Sequence, residues 1–150
     1  MGLKEYQAKR HFDTTPEPSG KVTETGKSRF VVHKHQASQL HFDFRLEKDG
    51  VLKSWAVPKG IPEEPGVRHL AVQVEDHPLD YIDFKGIIPA GQYGAGTVEI
   101  WDNGSYSEKK WTDKEIAFDI KGKKLTGEYV MVHTQVKNWI MFKHAINKLT

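Results

Sequence analysis

The fold of this chain is decided by residues 29–46, which read RFVVHKHQASQLHFDFRL. In the second half of this stretch, apolar residues at even positions alternate with His41, Asp43 and Arg45. Strict alternation with period 2 predicts a half-buried β-strand, whose odd positions form a row on one face, about 6.6 Å apart. A His-x-Asp pair can bind one metal ion, and an arginine one step further can hold an anion that the ion also touches.

An ordinary strand with solvated charges on its outer face is the alternative interpretation of this pattern. His35, which lies six residues before His41, favours the metal site because it offers a further imidazole. The chain has no cysteine, so any metal must be held by His, Asp or Glu, and neither a disulfide framework nor a thiolate zinc site can form.

The bulk composition predicts one domain with a single core, since the chain has 150 residues and 37% hydrophobic content. A net charge of +2 does not by itself indicate nucleic-acid binding. No apolar run reaches the length of a membrane span, and the N-terminus lacks the apolar centre of a secretory signal. We therefore expect a cytoplasmic protein with no membrane partner.

The rest of the chain predicts a mainly β fold. Asp49-Gly50 favours a hairpin after the first long strand, and Asp102-Asn103-Gly104 is interpreted as another hairpin turn. Further strands are predicted at 51–57, 70–75, 97–101, 115–120, 127–134 and 138–144. Six to eight short strands with hairpin turns indicate a compact antiparallel β-barrel with short helical segments.

The N-terminal segment 1–28 has few large apolar groups and is predicted to be an arm outside the barrel domain of residues 29–150. Residues 3–12 favour a short helix within it, with a frayed tail as the alternative. Residues 86–96 are rich in glycine but lack the strand-then-helix context of a phosphate loop, so we interpret them as turns.

The strand at 70–75 delivers a second group of polar side chains, which includes Glu75 and His77. Pro78 disfavours helix at His77, which places this imidazole at a strand-to-loop junction, where catalytic groups are common. An ordinary loop histidine is the alternative. The remaining candidates are assigned to the surface or to strand packing; they are His33, His133 and His144.

Several segments together resemble one known family. KHQASQLHFDFRLEKDGVLKSWAVPKG, LAVQVEDHPLDY, IPAGQYGAGTVEIWDNGSY and NWIMFKH resemble the 3′-phosphoesterase module of bacterial DNA ligase D and its stand-alone prokaryotic relatives, over residues 5–144. The resemblance implies a β-barrel that binds one Mn²⁺, with Co²⁺ or Zn²⁺ as alternatives. It also implies removal of a 3′-terminal ribonucleoside from DNA, followed by hydrolysis of the remaining 3′-phosphate to a 3′-hydroxyl.

The resemblance also implies a role for each matched position. The implied metal ligands are His35, His41 and Asp43; the implied catalytic or phosphate-contacting groups are Arg45, His77 and Tyr81; the implied substrate-binding or supporting groups are Arg10, Glu17, Lys59 and Glu75. Since Arg10 and Glu17 match an N-terminal pattern that reaches the same pocket, the resemblance implies that the arm of residues 1–28 contributes to the active site. Two positions depart from the family pattern. His11 replaces an acidic residue and His69 replaces an arginine, which puts the balance between the two reactions in doubt.

These residue types suit phosphate-ester chemistry, in which negative charge must be neutralised and the attacking group positioned. Two imidazoles and a carboxylate suit Mn²⁺ as a Lewis acid, and Arg45 can grip the same phosphoryl group. His77 is expected to act as a general acid or as a transition-state donor, and Tyr81 to orient the phosphate or the sugar.

Two other functions are compatible with parts of the sequence. The first is a non-haem iron oxygenase, in which His133 would complete a two-histidine, one-carboxylate site. The second is a non-catalytic nucleic-acid-binding module with Trp55, Trp101, Trp111 and Trp139 as stacking platforms and lysines 109, 110, 121, 123 and 124 as a phosphate-facing surface.

The expected partners of the leading function are 3′ ends of DNA or of RNA/DNA primer-templates. These 150 residues contain no ligase or polymerase segment, so we expect any cooperation with a DNA ligase, a polymerase or Ku to occur in trans.

Overall fold

A computed structural model describes residues 2–22 and 25–145. The elements in chain order are α1 (Lys4–Ala8), β1 (Arg29–Gln36), β2 (Leu40–Lys48), β3 (Val51–Val57), β4 (Arg68–His77), a 3₁₀ helix (Leu79–Asp83), β5 (Gly86–Ile88), β6 (Gly96–Trp111), β7 (Glu115–Gly122), β8 (Thr126–Gln135) and β9 (Asn138–Lys143). No helix in this described part is long and apolar enough to cross a membrane.

Eight antiparallel strands close into a barrel in the order β1-β2-β3-β4-β9-β8-β7-β6, and the pairing of β6 with β1 closes the ring. Strand β5 pairs with the beginning of β6. The predicted mainly β barrel with a short helix near the N-terminus is therefore confirmed. The helix is shorter than the predicted segment 3–12 and spans five residues.

The barrel interior holds the main core. Phe44 and Leu46 of β2 point inward, as the alternation predicts, and pack in one buried cluster with Trp55, Phe118 and Tyr129. The rings of Phe44 and Phe118 stack with their centres 5.7 Å apart. Each such side chain contributes about 1.5–3 kcal/mol when it is fully buried, so this cluster holds the strands in register.

The outer face of β1 and β2 is also covered, which differs from the expected half-buried strand. The helix α1 and the 3₁₀ helix pack a second apolar cluster against the outer wall, and Tyr6, Val31 and Tyr81 belong to it. As a result, Asp43 is only 6% exposed and Arg45 only 3% exposed. The polar row of β2 therefore lies between two apolar layers, and its charges need partners inside the protein.

The predicted hairpin turn at 102–104 is wrong, because β6 continues through these residues and pairs with β1 and β7. The buried Asp102 carboxylate instead accepts hydrogen bonds from the backbone N–H groups of residues 123–125. Gly104 is required by close packing, since a Cβ there would lie 2.0 Å from the carbonyl oxygen of Lys121. Asp and Gly both favour turns, but here Asp102 caps the backbone of a turn at 123–125 and Gly104 allows a close contact between strands.

Candidate active site

Strands β1 and β2 bring three potential metal ligands together. His35 lies directly opposite His41 in the register, and Asp43 is two residues further along β2 on the same face. The Nδ1 atom of His35 lies 3.6 Å from Asp43 Oδ2, and the Nε2 atom of His41 lies 3.3 Å from Asp43 Oδ1. One ligand atom from each of the three residues lies within 4.8 Å of the others, so all three can reach one ion.

Backbone carbonyls orient the rings of both histidines. His35 Nε2 lies 2.7 Å from the carbonyl oxygen of Gly94, and His41 Nδ1 lies 3.4 Å from that of Gln39. Because a carbonyl only accepts, these two nitrogens donate, and the nitrogens that face Asp43 are the ones that would bind an ion. Histidine ligands of metals are typically held in this way, and therefore the donor set fits a divalent transition ion.

Asp43 remains a carboxylate despite its burial. Burial alone would raise the pKa of Asp43, but contacts with His35 and His41 and the charge of Arg45 hold this pKa well below its usual range. The negative charge of Asp43 is thus available to a cation in the cluster.

The described part of the chain satisfies the guanidinium of Arg45 only in part. Its Nε donates to Nδ1 of His33 at 3.1 Å, and its Nη2 lies 3.5 Å from Asp43 Oδ2. Its Nη1 is buried and has no hydrogen-bond acceptor among the described residues. The guanidinium also lies over the ring of Tyr81, with its carbon 4.9 Å from the ring centre. A buried cationic donor without a partner is expected where an anion binds.

The N-terminal arm reaches the same place through a buried ionic network. Arg10 Nε donates to Glu17 Oε2 at 3.0 Å, and its Nη1 donates to Glu75 Oε2 at 3.3 Å. The hydroxyl of Tyr81 donates to the same oxygen of Glu17 at 2.6 Å. Arg10 and Glu17 therefore fasten the arm to β4 and to the 3₁₀ helix.

His77 is a neutral imidazole in this network. Its Nδ1 donates to the carbonyl oxygen of Glu75 at 2.9 Å, so Nε2 keeps its lone pair, 3.4 Å from Arg10 Nη2. Burial, together with the charges of Arg45 and Arg10, holds the pKa of His77 well below its ordinary value. Burial likewise raises the pKa of Tyr81, which keeps its hydroxyl proton.

A single cavity of about 320 Å³ is lined by nine of the ten residues predicted for the site. They are Arg10, Glu17, His35, His41, Asp43, Arg45, Glu75, His77 and Tyr81. Lys59 is exposed in the turn after β3, outside the cavity lining. His11 is also exposed, and His69 donates from Nδ1 to the carbonyl oxygen of Gly60 at 2.6 Å. The cavity thus combines a candidate metal-ligand cluster with a buried cationic donor that has no acceptor among the described residues.

Comparison with known sequences agrees with this chemistry. Residues 33–133 match the family described as the DNA ligase D 3′-phosphoesterase domain. The chain belongs to this family. Membership in a phosphoesterase family implies hydrolase activity for the domain.

Three multifunctional non-homologous end joining proteins named LigD illustrate the similarity. The protein from Pseudomonas aeruginosa is 49% identical over 153 residues, which cover 94% of this chain and 18% of the relative. The protein from Mycobacterium bovis is 44% identical over 145 residues, covering 92% and 19% respectively, and that from Mycolicibacterium smegmatis is 43% identical over 151 residues, covering 92% and 20%. The chain therefore spans about a fifth of the length of these relatives.

The structure of this 3′-phosphoesterase domain also contains site residues that the sequence did not single out. His33, which was assigned to surface or strand packing, is fully buried and accepts the hydrogen bond of Arg45. Its position two residues before His35 on one strand face was a usable signal. Gly94 contributes only a carbonyl oxygen, for which the sequence carries no signal.

Proposed function

We propose that this 3′-phosphoesterase domain is a Mn²⁺-dependent enzyme that heals DNA 3′ ends during end-joining repair. In the first reaction, water would attack the phosphorus of the terminal linkage, the P–O5′ bond would break, and the terminal ribonucleoside would leave. In the second, water would hydrolyse the remaining 3′-phosphate to a 3′-hydroxyl and inorganic phosphate. The observation that carries this proposal is the buried Nη1 of Arg45, which finds no acceptor among the residues that the structure describes and lies beside the His-His-Asp cluster.

The metal would be held by His35, His41 and Asp43, whose donor atoms suit Mn²⁺ and also Co²⁺ or Zn²⁺. When bound, such an ion supplies Lewis-acid charge neutralisation at a phosphoryl oxygen. Arg45 donates from Nη1 to a non-bridging oxygen of the same group, and this charge-assisted bond strengthens as negative charge develops.

His77 is proposed as the proton donor to the leaving oxygen. In the domain without substrate, its single proton lies on Nδ1, and Arg10 faces Nε2. The negative charge of an entering phosphate offsets the two neighbouring arginines and favours a second proton on Nε2. His77 can then give this proton to the departing O5′ or O3′ oxygen.

The other predicted residues support the reacting groups. Tyr81, held by Glu17, would orient the phosphate or the sugar, while Arg10 and Glu75 fix the arm and the backbone around His77. The exposed Lys59 would contact the DNA backbone outside the cavity. DNA or RNA/DNA primer-template 3′ ends are the proposed substrates, with a separate DNA ligase, polymerase or Ku as proposed partners, in keeping with the end-joining names of the relatives.

The two rival functions receive less support from the structure. His133 stacks on Trp139 and hydrogen-bonds to backbone carbonyls, and the imidazole that completes the metal cluster is that of His35. A binding module that stacks bases would need exposed rings, but Trp55 is 1% exposed and Trp139 is 4% exposed. Of the lysines in the rival basic surface, 109 and 110 form ion pairs with acidic neighbours.

Hydrolysis of a DNA primer that ends in a 3′-phosphate tests the proposed activity. We expect release of inorganic phosphate by the wild-type domain with Mn²⁺, none with EDTA, and none from His41→Ala, which lacks one ligand. Equal phosphate release by His41→Ala and the wild type would refute the assigned metal site. No release by the wild type with any divalent metal would refute the monoesterase reaction.

A further inference from the structure

His33 is a buried polar group beside Arg45 to which the proposed mechanism gives no role. It is fully buried on the outer face of β1, diagonal to Arg45 on β2. Its Nδ1 lies 3.1 Å from Arg45 Nε, and its Nε2 lies 3.0 Å from the carbonyl oxygen of Phe84. The ring therefore connects the guanidinium of Arg45 to the end of the 3₁₀ helix that carries Tyr81.

The two hydrogen bonds define what this position requires. A guanidinium has no acceptor, so Nδ1 of His33 must accept, and a carbonyl has no donor, so Nε2 must donate. The side chain at this position is thus a neutral group with one acceptor and one donor. Among uncharged side chains, glutamine and asparagine carry an acceptor and a donor on two separate atoms, as neutral histidine does, and glutamine is closer to histidine in length.

We infer that His33 is a positioning residue that fixes the guanidinium of Arg45 so that its Nη1 stays directed to the phosphate in the cavity. The bond to Nε holds one edge of the planar guanidinium, and the ring of Tyr81 lies against its face. Without the bond to His33, Nε would be a second buried donor without a partner, and rotation of the guanidinium toward the carboxylate of Asp43 would satisfy it. Such a rotation would withdraw Nη1 from the anion.

Two substitutions separate positioning from packing. His33→Leu keeps a buried side chain of similar size but loses both hydrogen bonds, whereas His33→Gln keeps an acceptor for Arg45 and a donor for the carbonyl of Phe84. This inference rests on the proposed phosphoesterase function. We expect His33→Leu to lower kcat/KM on the 3′-phosphate primer by about 10- to 100-fold, because small misplacements of a catalytic group have effects of this size. His33→Gln should stay within about threefold of the wild type.

A spectroscopic measurement tests the same inference without turnover. In ¹H–¹⁵N spectra of the metal-free protein, the Nε–H of Arg45, assigned by its loss in Arg45→Lys, should exchange slowly in the wild type and in His33→Gln. It should exchange at least tenfold faster in His33→Leu, while Mn²⁺ affinity stays unchanged. If the wild type shows no hydrolysis but this exchange pattern is found, the proposed activity fails and the positioning role stands.

Three results would overturn the inference. They are equal protection of the Arg45 signal in wild type and His33→Leu, equal impairment of His33→Gln and His33→Leu, and a loss of Mn²⁺ affinity in His33→Leu that matches its loss of activity. The last result would place His33 in support of the metal ligands rather than of Arg45.

Discussion

Replacing Glu17 by glutamine tests whether a buried ion pair fastens the N-terminal arm to the site. The side chains of Arg10 and Glu17 are 5% and 0% exposed, and Glu17 also accepts hydrogen bonds from Tyr81 and Thr15. In Glu17→Gln, the buried guanidinium of Arg10 keeps only Glu75 as a carboxylate partner in this network. The new side-chain amide also places an N–H donor among groups that donated to the carboxylate of Glu17. Removing one partner of a buried pair costs about 3–5 kcal/mol. Because Glu75 remains, we expect a loss near the lower limit, about 3 kcal/mol.

Urea unfolding of the metal-free protein measures this loss directly. The matched control is Glu108→Gln, since Glu108 is 39% exposed and pairs with Lys48 on the surface. Surface pairs contribute about 0–1 kcal/mol, so this control should unfold almost as the wild type does. A loss below about 1 kcal/mol in Glu17→Gln, equal to that of the control, would refute the claim that the buried pair holds the arm.

Three further predictions concern the barrel, its pH response and the substrate surface. Asp102→Ala removes the acceptor of the backbone N–H groups at 123–125 and should lower the free energy of unfolding by about 1–3 kcal/mol in urea titrations; an unchanged midpoint would contradict this role. Burial would raise the pKa of Glu47, but hydrogen bonds from Arg29 and Thr25 lower this pKa overall. The stabilisation of the fold by Glu47 is therefore present above the ordinary carboxyl pKa of 4.5 and is lost as the pH falls through the lowered pKa. The difference in unfolding free energy between wild type and Glu47→Gln should therefore shrink from pH 7 to pH 3, and a constant difference would rule out this linkage. Lys59→Ala should raise KM for a DNA primer about threefold to tenfold with kcat unchanged, and it should weaken the salt dependence of KM. Steady-state kinetics at two salt concentrations test this, and a KM equal to that of the wild type at both would contradict a role for this exposed lysine.

The sequence predicted most of the fold because local patterns determine it. The alternation around Phe44, the Asp49-Gly50 turn and the later short strands are all local signals, and the barrel contains each of them. The error at Asp102 arose because the run Asp-Asn-Gly favours a turn, whereas this carboxylate caps the backbone of a turn some 20 residues away, at 123–125. Such a long-range partner leaves no local signal.

The sequence predicted which residues form the candidate metal cluster, but not which elements cover it. The ligand cluster follows from the spacing of His35, His41 and Asp43 on two paired strands. The cover of the polar face could not be predicted, because it comes from α1 and the 3₁₀ helix, which are distant in sequence from β2. Burial makes His33, expected at the surface or in strand packing, a partner of Arg45, and it leaves Arg45 with a buried donor that has no acceptor among the described residues.

The measurement that tests the central claim most directly is product analysis on a 5′-labelled primer that ends in one 3′ ribonucleotide and is annealed to a longer template. With Mn²⁺, the wild type should convert this primer first to a product shortened by one nucleoside with a 3′-phosphate, and then to the 3′-hydroxyl, whereas EDTA and His41→Ala should leave it intact. Arrest at the 3′-phosphate would assign the missing step to the departures at His11 and His69. An intact primer that the wild type binds but does not cleave with Mn²⁺, Co²⁺ or Zn²⁺ would contradict the account.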